Sequence, residues 1–147
     1  MTKAIDFTFP YPPSVNTYWR HPTSGKLAGR HLISEKGREY REAINNLVAA
    51  ARGMDAVGLF LAGARGEKIN TPMISGPLAV DIEVFFPDRR RRDLDNILKS
   101  LLDSMTHAGV WEDDSQIEDL RIRKGPNIAG MVKVSVSPAG RPAKKED

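Results

Sequence analysis

The sequence predicts a single α/β domain of the α+β kind, with a mixed sheet and two helices in the order β-α-β-α-β-β. Three observations carry that expectation. From Leu78 to Phe86, Val80, Ile82, Val84 and Phe86 fall on one side and Asp81 and Glu83 on the other, the period-2 pattern of a half-buried strand. Leu94, Ile97, Leu98, Leu101, Leu102 and Met105 recur at helical spacing, which marks one apolar stripe. The chain has 147 residues, 40% hydrophobic and 28% charged, enough for one core-bearing domain. That domain is expected over residues 1–138, with a disordered tail over 139–147.

Taken in order, Ala4 to Phe9 alternates apolar and polar residues and reads as the first strand. Pro10, Pro12 and Pro13 end it, because proline donates nothing to a sheet ladder. Ser14 to Leu32 is rich in Gly, Pro, Ser and Asn and carries Arg20, His21, Lys26, Arg30 and His31. It reads as a long basic loop. Its Tyr18 and Trp19 either stack on bases or pin the loop to the core. Ser34 suits the N-cap of a helix running to about Arg52. Tyr40, Ala43, Ile44, Leu47, Val48 and Ala51 make its apolar stripe, and the opposite face, with Arg38, Glu39, Arg41 and Asn45, reads as packing without chemistry.

Gly53 to Gly76 holds five glycines and a short apolar run and is expected to be a flexible insertion. The second strand and second helix follow, the helix starting at Asp93 and stopping at Gly109. Val110 and Trp111 re-enter the core before the acidic turn Glu112-Asp113-Asp114-Ser115. Leu120 and Ile122 alternate with Arg121 and Arg123, and Val132, Val134 and Val136 with Lys133 and Ser135. With the turn signal Gly125-Pro126-Asn127 and Gly130 between them, the two strands read as an antiparallel hairpin.

Composition excludes several classes. With no cysteine there is no disulfide framework and no zinc–thiolate site. No apolar run approaches the ~18 residues of a membrane span, and residues 1–6 lack the apolar core of a secretion signal, so a cytoplasmic location is expected. The formal net charge is +3 and the pI about 9.3. The clustering of that charge says more than its sum.

The cluster is Pro87-Asp88-Arg89-Arg90-Arg91-Arg92-Asp93-Leu94-Asp95-Asn96, at a strand-to-helix corner. Asp93 and Asp95 suit the first turn of a helix, where free N–H groups favour negative charge. Helix capping alone would explain them. The alternative is metal binding. Asp95 lies off the apolar stripe, Lys99 follows one turn later, and Asp113-Asp114 comes after the same helix. The acidic turn starts at the far end of a helix roughly 22 Å long and must fold back to reach them. It can do so if Gln116 to Lys124 runs beside the Leu78–Phe86 strand. Gathered together, Asp93, Asp95 and Asp114 would favour Mg2+ or Mn2+, and Lys99 could stabilise a pentavalent phosphate or help move a proton. Arg89, Arg90, Arg91 and Arg92 beside such carboxylates suit a phosphodiester lying across both.

The arginine–aspartate block, with Lys99, Gly109-Val110-Trp111, Asp113-Asp114 and the N-terminal Pro12-Pro13-Ser14, Asn16 and Tyr18, closely resembles the RusA family of Holliday-junction resolvases. The likeness runs from about Ile5 to Val136. It implies a small α/β homodimer, a Mg2+-dependent endonuclease that nicks opposed strands of a four-way DNA junction. It also implies Asp93, Asp95 and Asp114 as metal carboxylates, Lys99 as the catalytic lysine and Arg92 with its neighbours at the DNA surface. Asp113 stands beside them without an assigned role. Gly53–Gly76 is longer than the resemblance implies. Two other readings stay open at this stage: a Mg2+ nuclease acting on other branched DNA or on RNA, and a DNA-binding module whose acids only cap a helix.

Overall fold

The computed structural model describes residues 4–53, 58, 61, 64–65 and 72–140. A four-stranded mixed sheet in the order β1-β6-β4-β5 carries the domain, from β1 (Ile5–Pro10), β4 (Leu78–Phe85), β5 (Ile117–Lys124) and β6 (Met131–Pro138). Two long helices, α2 (Glu35–Ala51) and α3 (Leu98–His107), pack against each other. The mixed sheet and the order of the long elements agree with the sequence expectation.

Val80, Ile82 and Val84 of β4 meet Val136, Val134 and Val132 of β6 in register, and Phe7 and Phe9 of β1 continue the layer. All are buried together with Ile44 and Val48 of α2 and Leu101 and Met105 of α3. This is the apolar face the period-2 pattern predicts. The opposite sheet face is polar. There Arg123 donates to both Asp81 and Glu83.

The predicted antiparallel hairpin of the last two strands is overturned. β5 pairs with β4 in parallel, and β6 inserts between β1 and β4, antiparallel to both. The turn residues are real, but they serve a crossover. Gly125 N donates to Val84 O at 2.8 Å, and a Cβ on Gly125 would lie 2.5 Å from Phe85 Cε1. The chain therefore passes over the end of β4 before β6 descends on its other side.

Three further expectations change. Ser14 to Leu32 is more than loop: it holds a short helix α1 (Val15–Tyr18) and a small antiparallel ladder of β2 (Trp19–Arg20) with β3 (Leu32–Ile33). Tyr18 is fully buried, so it anchors the arm rather than stacking on bases. The second helix opens as a 3-10 turn over Leu94–Ile97 before α3 begins. In α2, Leu47 is 41% exposed, outside the stripe assigned to it. Ser34 caps α2 as expected, accepting from Gly37 N at 3.0 Å, and Gly109 takes φ +81 at the end of α3. Of the Gly53–Gly76 expectation, most lies outside the described residues. Its end does not behave as an insertion: Ile74 is buried, and Met73 and Ile74 N–H groups donate to Gly109 and Val110 carbonyls at 3.1 and 3.2 Å. The tail beyond residue 140 also lies outside the described residues.

Candidate active site

The arginine corner is organised by one carboxylate. Asp88 accepts from Arg90 N at 2.9 Å and from Arg92 Nη2 at 2.8 Å. The hydrogen bond from Arg92, then that from the Arg90 backbone, holds the Asp88 carboxyl below its ordinary range. Arg92 also lies 5.7 Å over the Tyr11 ring, which itself packs against Phe86. Arg92 is thus partly structural. Arg89, Arg90 and Arg91 are exposed and line a shallow basic depression of about 360 Å³ that continues to Lys124 and Gly125.

This separates four arginines that look alike in sequence. Arg91→Ala is expected to weaken nucleic-acid binding and lower its salt dependence by about one phosphate contact with no loss of thermal stability. Arg92→Ala is expected to lower stability as well, because it strands Asp88 and uncovers Tyr11. Salt-titrated binding and thermal unfolding of both variants check this. Equal melting temperatures for the two would remove the structural role of Arg92.

Asp93 occupies the N-cap position of the 3-10 turn with extended φ −92 and ψ 139, yet its side chain makes no capping hydrogen bond. The capping explanation therefore fails for this residue, and its carboxylate is exposed. Asp95 is also exposed, in the first turn. Lys99 follows at the start of α3, also exposed.

The acidic turn folds back along the helix, with β5 running beside β4, but does not gather its acids with Asp93 and Asp95 into one group among the described residues. The 3-10 turn Asp114–Gln116 packs against α3, and β5 packs against the turn of Leu94–Ile97. The two adjacent acids then take different work. Asp113 is a cap: it accepts from Ser115 N at 3.3 Å, while Gln116 Oε1 accepts from Asp113 N at 3.0 Å, a reciprocal capping box. Its carboxyl is held below the ordinary range, first by the Ser115 backbone. Asp114 is pushed upward, first by burial and then by Asp113, with Asp103 adding and Lys99 opposing. The fold thus places Asp114 in the field of Lys99 and Asp103.

Asp93, Asp95 and Asp114 supply only hard oxygen donors, the donor chemistry of Mg2+ or Mn2+. They are not closed into a cage. Among the described residues, no three His, Asp or Glu side chains lie close enough to hold an ion.

A second polar cluster went unread in the sequence. Tyr18 Oη donates to Asp103 Oδ2, Arg41 Nε donates to Tyr18 Oη at 2.7 Å, and the Arg41 guanidinium pairs with the same carboxylate. Arg41 is therefore not idle packing. The cluster ties α1, α2 and α3 together one turn beyond Lys99. Its partners stand 62 and 85 residues apart in the chain, so no local pattern announces it.

A sheet with helices on one face, a basic strand-to-helix corner and unneutralised carboxylates beside it define a protein built to handle phosphodiesters. Residues 57–137 match the family of endodeoxyribonuclease RusA. The chain is 38% identical over 124 residues to crossover junction endodeoxyribonuclease RusA of Enterobacteria phage HK97, covering 84% of this chain and 85% of that one. It is 38% identical to the Shigella sonnei strain Ss046 protein of that name and 37% identical to the Escherichia coli K12 one, each over 84% of both chains. The chain belongs to the RusA family.

Proposed function

We propose that this protein is a Mg2+-dependent endodeoxyribonuclease that resolves four-way DNA junctions by paired, symmetric nicks. The observation that carries the reading is the corner itself. Exposed arginines stand beside an Asp93 carboxylate that caps nothing, on the element that leads to Asp95 and Lys99. The relatives named crossover junction endodeoxyribonuclease support the junction as substrate.

In this reading Arg89, Arg90 and Arg91 seat backbone phosphates, and Asp88 holds Arg92 and the turn in shape. Asp93, Asp95 and Asp114 would offer carboxylates to Mg2+, one or two at a time, with Mn2+ as a substitute. Because Mg2+ keeps several waters and needs only one or two carboxylates at a time, the open arrangement of these acids suits it. Bound there, the ion would lower the pKa of a bound water and offset charge on the phosphate. Lys99 would neutralise charge that develops on the phosphoryl oxygens. The Tyr18–Arg41–Asp103 cluster holds the middle of α3, one turn beyond Lys99, against α1 and α2.

Two opposed cuts call for two symmetry-related sites, which a C2 homodimer supplies. No helix among the described residues is long and apolar enough to cross a membrane, and work on DNA fits the cytoplasm. Labelled four-way junction, forked duplex and linear duplex, each with Mg2+ or EDTA, test the reading. Paired nicks confined to the junction and lost in EDTA are the expected result. Equal cutting of linear duplex sinks junction selectivity, and binding without cation-dependent cutting leaves a DNA-binding module. Light scattering of the protein alone should give the mass of two chains.

A further inference from the structure

A groove of about 680 Å³ opens between the Tyr11–Ser14 segment, the first turns of α2 and the Arg91–Ile97 corner. Asp93, Lys36 and Glu39 all line it, and it shares Arg91 and Arg92 with the arginine depression. Whatever enters it is chain-adjacent to a phosphate held at the corner.

Its lining is specific in character. Tyr11 and the two prolines after it make an apolar wall. The Tyr40 hydroxyl nearby donates to Pro10 O at 2.8 Å, which ties the start of this segment to α2. Lys36 and Arg91 place cations at the rim, and neither has an ion-pair partner among the described residues. Glu39 and Asn96 add hydrogen-bonding groups, and no ion pair joins Glu39 to Lys36 one turn before it. Arg92, which also lines the groove, is by contrast paired with Asp88. Lys36, Arg91 and Glu39 thus stand on exposed helix and corner positions around the apolar wall without an ion pair among the described residues, and Asp93 adds a second unpaired acid.

We propose that this groove receives one unstacked nucleotide of the cleaved strand, next to the scissile phosphate, with Glu39 reading its base. The inference rests on the endonuclease reading above. Phosphate charge complements Lys36 and Arg91, and the base lies against the wall of Tyr11 and the prolines. A carboxylate accepts but cannot donate. Glu39 therefore favours a base bearing an exocyclic amino group and disfavours thymine, which presents O4 as an acceptor. Unstacking costs least at a branch point, where a base already lacks a continuous stack. The groove would thus couple junction structure to the choice of cut site.

The test uses full-length protein and a set of four-way junctions carrying each base in turn at every position flanking the cut. Wild-type protein should cut about tenfold more slowly with thymine at one position. Glu39→Gln, whose amide can donate to O4, should largely remove that penalty and narrow the spread of rates between thymine and the other bases. Lys36→Ala should weaken binding and lower its salt slope by about one contact while leaving the base order intact. With cleavage blocked by Asp95→Asn, 2-aminopurine should brighten on binding at that same position. Equal rates for all four bases, a Glu39→Gln profile identical to wild type, or flat fluorescence at every flanking position overturns the proposal. Absence of any junction cutting by wild-type protein instead overturns the nuclease reading.

Discussion

Asp95→Asn is expected to abolish Mg2+-dependent cleavage while junction binding survives. Asp95 is exposed, so replacing one carboxylate oxygen by an amide removes charge without opening a cavity. The phosphate contacts proposed for Arg89, Arg90 and Arg91 remain. Even the outer partners of metal ligands cost about 10- to 100-fold when removed. Loss of a direct carboxylate should exceed ~100-fold in rate. Gel-shift affinity and single-turnover cleavage on the same junction measure the two quantities separately, and thermal unfolding controls for structure. Retained cleavage would take Asp95 out of the active site. Lost binding together with a lowered melting temperature would make it structural.

Trp111→Ala should have the largest effect on stability. The ring is 1% exposed, and Nε1 donates to Thr106 Oγ1 at 2.6 Å. Removing a buried aromatic of this size costs about 3–5 kcal/mol, a fall in melting temperature on the order of 10 °C or more. Trp111→Phe keeps much of the packing and loses the hydrogen bond, and should cost about 1–2 kcal/mol. The consequence reaches the site. Trp111 anchors the chain between Gly109 and the Asp113 capping box, so it sets where Asp114 emerges. Trp111→Phe should therefore reduce cleavage more than binding. A Trp111→Ala protein that melts with the wild type would show that the ring anchors nothing.

The local features were legible because local rules govern them. Ser34 and Gly109 do at the helix ends what their side chains, or lack of one, dictate. The alternation through β4 survives because one face meets the core. The acid–arginine block was visible because its residues are contiguous.

What failed was pairing and partnership. A turn signal between two alternating segments looks the same whether the second strand returns beside the first or crosses over. Here the parallel seat beside β4 was available to β5, and β6 completed both β1 and β4. Asp93 looked like a cap because its position is a cap position. Its side chain is nevertheless left unbonded.

By itself, the sequence determined the chemistry on offer: hard carboxylates, a lysine one turn on, and arginines at a strand-to-helix corner. Only the tertiary structure decided how that chemistry is divided. It gave Asp113 to a capping box and Asp114 to the field of Lys99. It tied Arg92 down to Asp88 and Tyr11 and left Arg91 exposed. It joined Tyr18, Arg41 and Asp103 across three helices, and it opened the groove beside Asp93. The physical reason is range. Propensity and periodicity act over a few residues, whereas these assignments depend on which side chains meet after segments tens of residues apart have packed.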